Sequence, residues 1–391
     1  MALNEKLVSK IAISTCAAAM LTLTGCSSSD DDSTAGGGTT TPPAVTYPTT
    51  LQGEITSDMT LTLSDSPVLL AGNKVKVKNG ATLTIEPGVK LCGESQAYLI
   101  VTKGAKIMAE GTEASPVEFT SQAACEGAPA AAGQWGGVTL LGNAVTNEAD
   151  EIRYEVDESD ADFAYGGDDD ADNSGVLNHV KILNSGYAVA VDKEVNGLSL
   201  CGIGSATVVD NITIVDSGDD GIEIWGGSVE LNHISITGAQ DDGFDVDSGY
   251  HGAVTDLTVT QTEPGASLVE MTNGGDASKQ RTDWSLDGFT LTASVNQKKE
   301  GGLYFKDLDV TGSFKNGMID MSASPALNTG AGLTNKEGVF MSPVFENVTV
   351  KGSESVDLQA NRRDGETTDA GTIELNGAFA SGTANSYISY P

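Results

Sequence analysis

The chain has 391 residues, with 55 acidic side chains against 21 lysines and arginines, and so a formal net charge of −34. This charge excludes a nucleic-acid binder, because a phosphate backbone would be repelled. The 47 glycines and the aromatic content of 5% argue against a helical protein. A hydrophobic content of 39% is enough for a packed core, so global disorder is not expected.

Residues 1–25 have the pattern of a bacterial signal peptide. Two lysines precede a short apolar stretch, which ends in the sequence LTGC with its cysteine at Cys26 and resembles a lipobox. In proteins with that motif the cysteine becomes the lipidated, palmitate-bearing N-terminus. Ser27, rather than Asp, follows, which by resemblance to enteric lipoproteins favours the outer membrane. We expect this lipid to be the only anchor, holding the protein on the periplasmic or extracellular face.

Residues 26–50 are rich in Ser, Asp, Gly, Thr and Pro, a composition that cannot bury a core, and are predicted to be a disordered tether. From residue 51 onwards, short strand patterns are separated by Gly, Asn, Asp and Pro. We therefore expect a β domain over residues 51–355. Residues 356–391 are expected to form a cap or a tail, since an open end would leave an unpaired strand edge.

The middle of the chain contains an internal repeat. Ile212, Ile234 and Leu257 occupy the same position in successive copies, at intervals of 22 and 23 residues. A period near 22 suits one coil of a parallel β-helix, with three short strands and three turns. The alternatives, a β-sandwich or a propeller, need antiparallel turns at closer spacing. The sequence therefore predicts an all-β, single-stranded solenoid.

Several stretches resemble bacterial surface lipoproteins and secreted proteins that fold as a right-handed parallel β-helix. The matching stretches are ATLTIEPG from Ala81, KIMAEG from Lys106, QWGG from Gln134, NGLSL from Asn196 and SGDDGIEIWGG from Ser217. The resemblance covers most of residues 55–275. It implies the fold but no activity, since members of that family are largely uncharacterised.

The cysteines of an exported chain meet an oxidising compartment, where a disulfide is permitted. Cys92 and Cys125 lie 33 residues apart, about one and a half coils, and are the predicted pair. Cys201 is expected to be a buried, unreactive thiol. No cysteine or histidine spacing indicates zinc.

Two acidic segments, DDGIEI at 219–224 and DDGFDV at 241–246, are offset by 22 residues, or one coil. Alternation points Glu223 and Asp245 outward on adjacent coils, and Glu270 extends the column. Carboxylates about 5 Å apart repel one another unless a cation, a base or a proton intervenes. The predicted metal ligands of this region are Asp219, Asp220, Glu223, Asp241, Asp242, Asp245 and Asp247.

Three explanations of this acidic ladder stay open. First, clustered carboxylates suit Ca²⁺. Second, a carboxylate pair could hydrolyse a glycosidic bond. Third, Asp-Asp-Gly is a sequence that favours a tight turn, with no ligand needed. A second run of nine acids between residues 155 and 172 contains no Lys or Arg. It is either a solvated loop or a Ca²⁺-ordered one with Asp168, Asp169 and Asp170 as ligands.

The fold is shared with polysaccharide-cleaving enzymes, so catalysis must be judged from the site. The SGDD sequence ending at Asp220 resembles the Gly-Asp-Asp motif of polygalacturonases, but the other three motifs of those enzymes are missing or out of step. A lyase would need a base. If the protein is an enzyme, we expect a polysaccharide lyase or glycoside hydrolase that uses Glu223, Asp245, Glu270 and Lys306.

The sequence favours a binding or structural role over catalysis. We expect a surface lipoprotein that binds a polysaccharide or an envelope polymer, with Ca²⁺ stabilising its acidic loops. Trp225, Trp284 and Tyr250 are predicted to stack on sugars along a flat β face, with His251 beside them.

Overall fold

The structure is a computed structural model that describes residues 44–148, 152–190, 193–295, 297, 301–306, 310–324, 333–335 and 344–351. These residues belong to one compact unit, Ala44–Pro391. The predicted signal peptide, the lipidated Cys26 and the cap or tail at 356–391 lie outside the described residues, as does most of the predicted tether.

Short strands make up most of the described chain. The first nine are β1 (Thr49–Ile55), β2 (Met59–Leu61), β3 (Val68–Val77), β4 (Thr82–Ile85), β5 (Lys90–Gly93), β6 (Tyr98–Val101), β7 (Lys106–Glu110), β8 (Val117–Ser121) and β9 (Val138–Leu141). The next eight are β10 (Ile152–Arg153), β11 (Ala164–Tyr165), β12 (Gly175–Leu183), β13 (Ala188–Ala190), β14 (Lys193–Glu194), β15 (Leu198–Ile203), β16 (Val208–Val215) and β17 (Ile222–Gly227). The last nine are β18 (Glu230–Thr237), β19 (Phe244–Asp247), β20 (Ala253–Gln261), β21 (Val269–Met271), β22 (Asp283–Ala293), β23 (Leu303–Phe305), β24 (Thr311–Asp320), β25 (Leu333–Asn335) and β26 (Val344–Lys351).

Helix is scarce among the described residues. One α-helical turn, α1 (Gln122–Cys125), begins after Ser121, whose hydroxyl accepts a hydrogen bond from the Ala124 backbone N–H. Three 3₁₀ turns cover Leu63–Asp65, Glu155–Asp157 and Ala161–Phe163.

Within the described residues, 22 of the strands form one continuous sheet in which all pairings are parallel. The sheet coils into three faces. Face A contains the end of β3, then β6, β9, β15, β17, β19, β21, β23 and β25. Face B contains β2, β4 and β7, followed by the first halves of the long strands from β12 to β26. Face C contains the start of β3, β5 and β8, followed by the second halves of those long strands.

The interior is filled by the inward residue of each strand. On face A one fully buried column runs from coil to coil through Val75, Leu99, Val138, Leu198, Ile222, Phe244, Val269 and Leu303, and a second one starts at Val77 and ends at Phe305. Because each short strand buries one or two apolar residues, only stacked coils provide a continuous core. The predicted parallel β-helix is confirmed.

The long strands bend from face B to face C at a single residue with left-handed backbone. The corner column is His179, Asn211, His233, Asp256, Gly288, Asn316 and Asn347, with φ between 49° and 74°. Asparagine tolerates this conformation, and its side chain bonds along the column. The Asn347 amide, for example, donates to the Asn316 side-chain oxygen at 3.1 Å.

Two insertions leave the coils at the two ends of the face A strands, one after β9 and one before β15. One carries the antiparallel pair β10 and β11, and the other carries β13 and β14. Together with the outer side of face A they enclose a second, smaller apolar core, made of Tyr98, Ile100, Leu141, Tyr154, Val156, Phe163, Tyr165, Val195, Cys201 and Trp225.

The structure contains the predicted disulfide between Cys92 on β5 and Cys125 on α1. It joins face C to the helical turn that follows β8. Cys201 is a buried free thiol, as predicted. Burial raises the pKa of this thiol well above its usual range, which makes it a poor nucleophile.

Candidate functional site

The acidic residues predicted to stack do face one another. Glu223 on β17 is the register partner of Asp245 on β19, which is in turn the partner of Glu270 on β21. Neighbouring strands in a sheet lie about 4.8 Å apart, so the three side chains form a column on the outer side of face A. We call it the acidic column.

A second column precedes these strands at the corner between faces C and A. The Asn196 side-chain oxygen accepts the Asp220 backbone N–H at 3.2 Å. A carboxylate oxygen of Asp220 accepts the Asp242 N–H at 2.8 Å, and one of Asp242 accepts the Ser267 N–H at 2.5 Å. Each carboxylate thus joins its own coil to the next. These backbone hydrogen bonds, which the turn explanation predicts, therefore account for one carboxylate oxygen of Asp220 and one of Asp242.

The two columns bring carboxylates within reach of a shared cation. Three overlapping groups each offer oxygens that all lie within 4.8 Å of one another in the described part of the chain. The groups are Asp219 with Asp220 and Asp241; Asp220 with Glu223 and Asp245; and Asp242 with Asp245 and Glu270. Apart from Asp247, all the predicted ladder residues fall in one of these groups.

Much of this cluster is buried. The residues Asp220, Asp242, Asp245 and Glu270 are between 5% and 8% exposed. Burial raises the pKa of Asp245 well above its usual range, and the charges of Glu270, Asp242 and Asp247 raise it further. Burial, followed by neighbouring carboxylates, has the same effect on Asp220, Glu223 and Asp242. For Asp219 the same causes raise the pKa to about 7.

Two side chains compensate part of this charge. The Lys306 ammonium bonds to the Glu270 carboxylate, and the Asn196 amide donates to Glu223 at 2.7 Å. Burial disfavours the charged form of Lys306, but Glu270, Asp245 and Asp242 outweigh it and raise the pKa of the lysine. In contrast, the buried Asp245 Oδ1 has no hydrogen-bond partner among the described residues.

The remaining predicted ladder residue, Asp247, belongs to none of the three groups found among the described residues. Asp247 is the register partner of Trp225, as expected, at the other end of its strand. One of its carboxylate oxygens accepts the Ser248 backbone N–H at 2.5 Å.

Three aspartates of the acidic run after residue 152 pair with lysines from a distant strand. We call residues 152–165 the acidic strap, and Lys74, Lys76 and Lys78, which alternate along and just past β3, the lysine stripe. Lys74 lies 2.5 Å from Asp157, and both Lys76 and Lys78 lie 2.6 Å from Asp162. The first lysine also lies over the Phe163 ring, 4.8 Å from its centroid.

The prediction of a Ca²⁺-ordered loop at Asp168, Asp169 and Asp170 is not supported. All three residues are exposed, and none belongs to a carboxylate cluster that could share a cation in the described parts of the chain. Two of them accept backbone hydrogen bonds instead. The Asp170 carboxylate accepts the Val145 N–H at 3.0 Å, and the Asp169 carboxylate accepts the Ala171 N–H at 3.0 Å.

The predicted sugar-stacking face is wrong. Tyr250 and Trp284 are 0% and 2% exposed, because they lie in the interior of the solenoid. Trp225 does lie on the outer side of face A, but Tyr154 of the acidic strap covers it, with ring centroids 5.5 Å apart. His251 is partly exposed and contacts Asp170 at 3.2 Å rather than joining those rings.

Sequence reasoning missed the partners of these acids. The lysine stripe was visible as the alternation KVKVK at 74–78, which places all three ammonium groups on one side of a strand. Its pairing with a segment more than 80 residues away had no local signal. The role of Asn196 was also missed, although its spacing of 24 residues from Asp220 matches one coil.

The chain matches the family described as the pectate-lyase like beta helix domain over residues 53–387. It therefore belongs to that family. No curated protein has a significant match to the chain, and no solved structure has one either. Within the described residues, no helix is both long and apolar enough to cross a membrane.

Proposed function

We propose that the protein is a surface-anchored lipoprotein whose β-helix binds an extended polysaccharide or envelope polymer without cleaving it. In this proposal Cys26 carries the lipid, and a Ca²⁺ ion held by Asp220, Glu223 and Asp245 stabilises face A. The single observation that carries the cation is the Asp245 Oδ1 atom, which is buried between carboxylates and has no hydrogen-bond partner among the described residues.

This group of three carboxylates fits a cation better than the other two groups. Lys306 already supplies a positive charge to Asp242, Asp245 and Glu270. Only one residue of the group with Asp219 and Asp241 is buried, whereas two of the three residues are buried in the favoured group. Asp220 at the corner, together with Glu223 and Asp245 on the strands, offers hard oxygen ligands, which suit Ca²⁺. When bound, the ion would supply the charge that the buried carboxylates otherwise take up as protons.

The protonation state of Lys306 favours binding over lyase chemistry. A lyase base must accept a proton, but the carboxylates around this ammonium hold it in its charged form. The polymer contacts must also be polar, because the aromatic rings predicted to stack on sugars are covered.

One observation favours hydrolysis as a second candidate function. The pKa of Asp219 is raised to about 7, so this carboxyl group can hold a proton near neutral pH, as a general acid must. In that case Asp219 would protonate the glycosidic oxygen, and an ionised carboxylate of the acidic column would be its partner.

The test incubates the mature chain with neutral and uronate polymers. It measures co-sedimentation, new reducing ends and the absorbance of unsaturated products. Binding without products is the expected result. Products that disappear in Asp219→Asn, but persist in the control Asp256→Asn at an exposed corner, would contradict the proposal and favour hydrolysis. If no polymer binds, the binding function is wrong.

A further inference from the structure

An open groove lies away from the acidic column, at the corner between faces B and C. Its volume is about 510 Å³. The floor is formed by Lys181, Thr213 and Ser235, which are register partners on β12, β16 and β18. These outward side chains therefore repeat at the coil spacing of about 4.8 Å.

The corner column forms one side of the groove. His179, Asn211 and His233 line it in succession, one from each coil. Their left-handed backbone, with φ of 49°, 53° and 53°, turns the chain at the point where these side chains leave it. The Asn211 amide bonds to Asn178 at 3.3 Å, and one ring nitrogen of His233 lies 2.8 Å from Asp210. These contacts hold the polar groups in place along the groove.

A tight loop closes the groove at the coil nearest the N-terminus. Earlier in the chain, the corner after β7 is not a single residue but a loop in which Thr112 and Ser115 exchange two backbone hydrogen bonds, of 3.1 and 3.0 Å. Glu113 and Pro116 of this loop line the groove. An elongated ligand would therefore meet a wall at this end and open face C at the other.

Lys181 supplies a hydrogen-bond donor with no competing ion pair. The side chain is exposed and makes no ion pair in the described part of the molecule. The carboxylate on its register partner, Glu118, is already paired with Lys90 at 2.7 Å. The ammonium, two hydroxyls, an amide and the imidazoles together provide both donors and acceptors, and no Phe, Tyr or Trp is among the described lining residues.

This chemistry suits a hydroxyl-rich chain. A sugar polymer lying parallel to the solenoid axis would place about one sugar unit beside each coil, because the coil spacing is close to the length of a pyranose. The formal net charge of −34 disfavours a polyanion at long range. A neutral polysaccharide meets no such repulsion, and its hydroxyls can both donate to and accept from the lining.

We propose that this groove is the polymer-binding site, and that its ligand is a neutral polysaccharide lying along the axis from Glu113 towards Ser235. The inference rests on the proposed binding function and deepens it by naming the surface and the ligand class. It does not depend on the cation, since the groove and the acidic column are on different faces.

The experiment measures retardation of the mature chain in native gels that contain soluble β-glucan, galactomannan or dextran, with alginate as the anionic comparison. The test variant combines Lys181→Met, Thr213→Val and Ser235→Ala. The control combines Lys106→Met and Thr84→Val, which remove an ammonium and a hydroxyl from outward positions on face B. Thermal unfolding of both variants checks that the coils remain folded.

We expect at least one neutral polymer to retard the parent and the control equally. The test variant should bind that polymer about tenfold more weakly, because several hydrogen-bond partners are lost together. If a polymer retards the test variant as strongly as the parent, the groove is not the site, while the binding function stands. Retardation by alginate alone would overturn the neutral-ligand class. Retardation by none would overturn the binding function and this proposal with it.

Discussion

Asp245 illustrates why a buried carboxylate needs a counter-charge. Its side chain lies between Glu223 and Glu270 in the acidic column, and its Oδ1 atom has no hydrogen-bond partner in the described part of the chain. An ionised carboxylate at such a position is costly, and the cost falls when a proton or a cation is bound. The acidic column thus buries charged groups in a solenoid whose buried side chains are mostly apolar.

Asp245→Asn replaces the charge by a neutral group of the same shape. We expect the parent to gain thermal stability with Ca²⁺ and lose it with EDTA, because only the native state binds the ion. The Asn variant should show a much smaller shift, and in EDTA it should be at least as stable as the parent. Thermal unfolding with each addition measures this. The exposed Asp256→Asn is the control and should respond as the parent does. A full Ca²⁺ shift in the Asp245 variant would refute the site.

Gly175 shows how closely the coils approach one another. A Cβ atom at this position would lie 1.8 Å from the Ile107 carbonyl oxygen of the preceding coil, and the backbone φ is +117°. We expect Gly175→Ala to destabilise the fold by about 2 kcal/mol or more, since backbone must move. Gly104 also has positive φ, at +81°, but open space around it.

For this reason Gly104→Ala should cost only about 1 kcal/mol and is the matched control. Urea unfolding of both variants measures the difference. Equal costs would show that backbone conformation, rather than contact between coils, decides the requirement for glycine at position 175.

At the scale of elements, the acidic strap is tied to the first coils by the lysine stripe. Lysine bonding is the main cause that lowers the pKa of Asp157 to about 2, against an ordinary value near 4. The pKa of Asp162 is lowered by bonds to two lysines, and that of Asp160 is lowered although burial opposes the change. The strap in turn covers Tyr98 and Trp225, so its position determines which aromatic rings reach solvent.

The strap should therefore weaken in acid. Because the folded pKa of Asp157 lies below its unfolded value, its contribution to stability is fully present above pH 4 and is lost as the pH falls towards 2. We expect Lys74→Met to lower the melting temperature at pH 6 and to flatten its decline between pH 4 and 2. Thermal unfolding across this range measures it, with Lys106→Met as the control. A parallel decline in parent and Lys74 variant would contradict the role of the stripe.

The elements themselves were largely predictable. The period of 22 to 23 residues and the alternation within each strand placed Glu223 beside Asp245, because a register of whole coils follows from the period alone. The period does not reveal the left-handed bends at His179 and His233, which lie within β12 and β18 where a single residue turns the chain from face B to face C.

At the scale of the whole molecule, the negative charge is distributed unevenly. One part is paired with the lysine stripe, another is buried in the acidic column beside Lys306, and Asp168, Asp169 and Asp170 stay on the surface. The proposed lipid anchor would place this acidic solenoid at the membrane surface, where multivalent display can compensate for weak polar contacts with a polymer.

The anchor is tested at Cys26. We expect the parent to incorporate labelled palmitate and to fractionate with the outer membrane, since acyl chains supply the membrane affinity. Cys26→Ser should lose the label and leave the membrane fraction. Cys16→Ser, upstream of the LTGC motif, should behave as the parent does. Label retained in the Cys26 variant would refute the lipoprotein assignment.

The sequence by itself determined the parallel β-helix, the register of the acidic column and the disulfide pair. Period, alternation and cysteine spacing are local properties, and a solenoid repeats them along one axis. Only the tertiary structure decided which acids are compensated and which aromatic rings are covered. Lys74 and Asp157 are 83 residues apart in the chain, and Tyr154 covers Trp225 from an insertion. Such contacts depend on where insertions fold back, which no repeat period encodes.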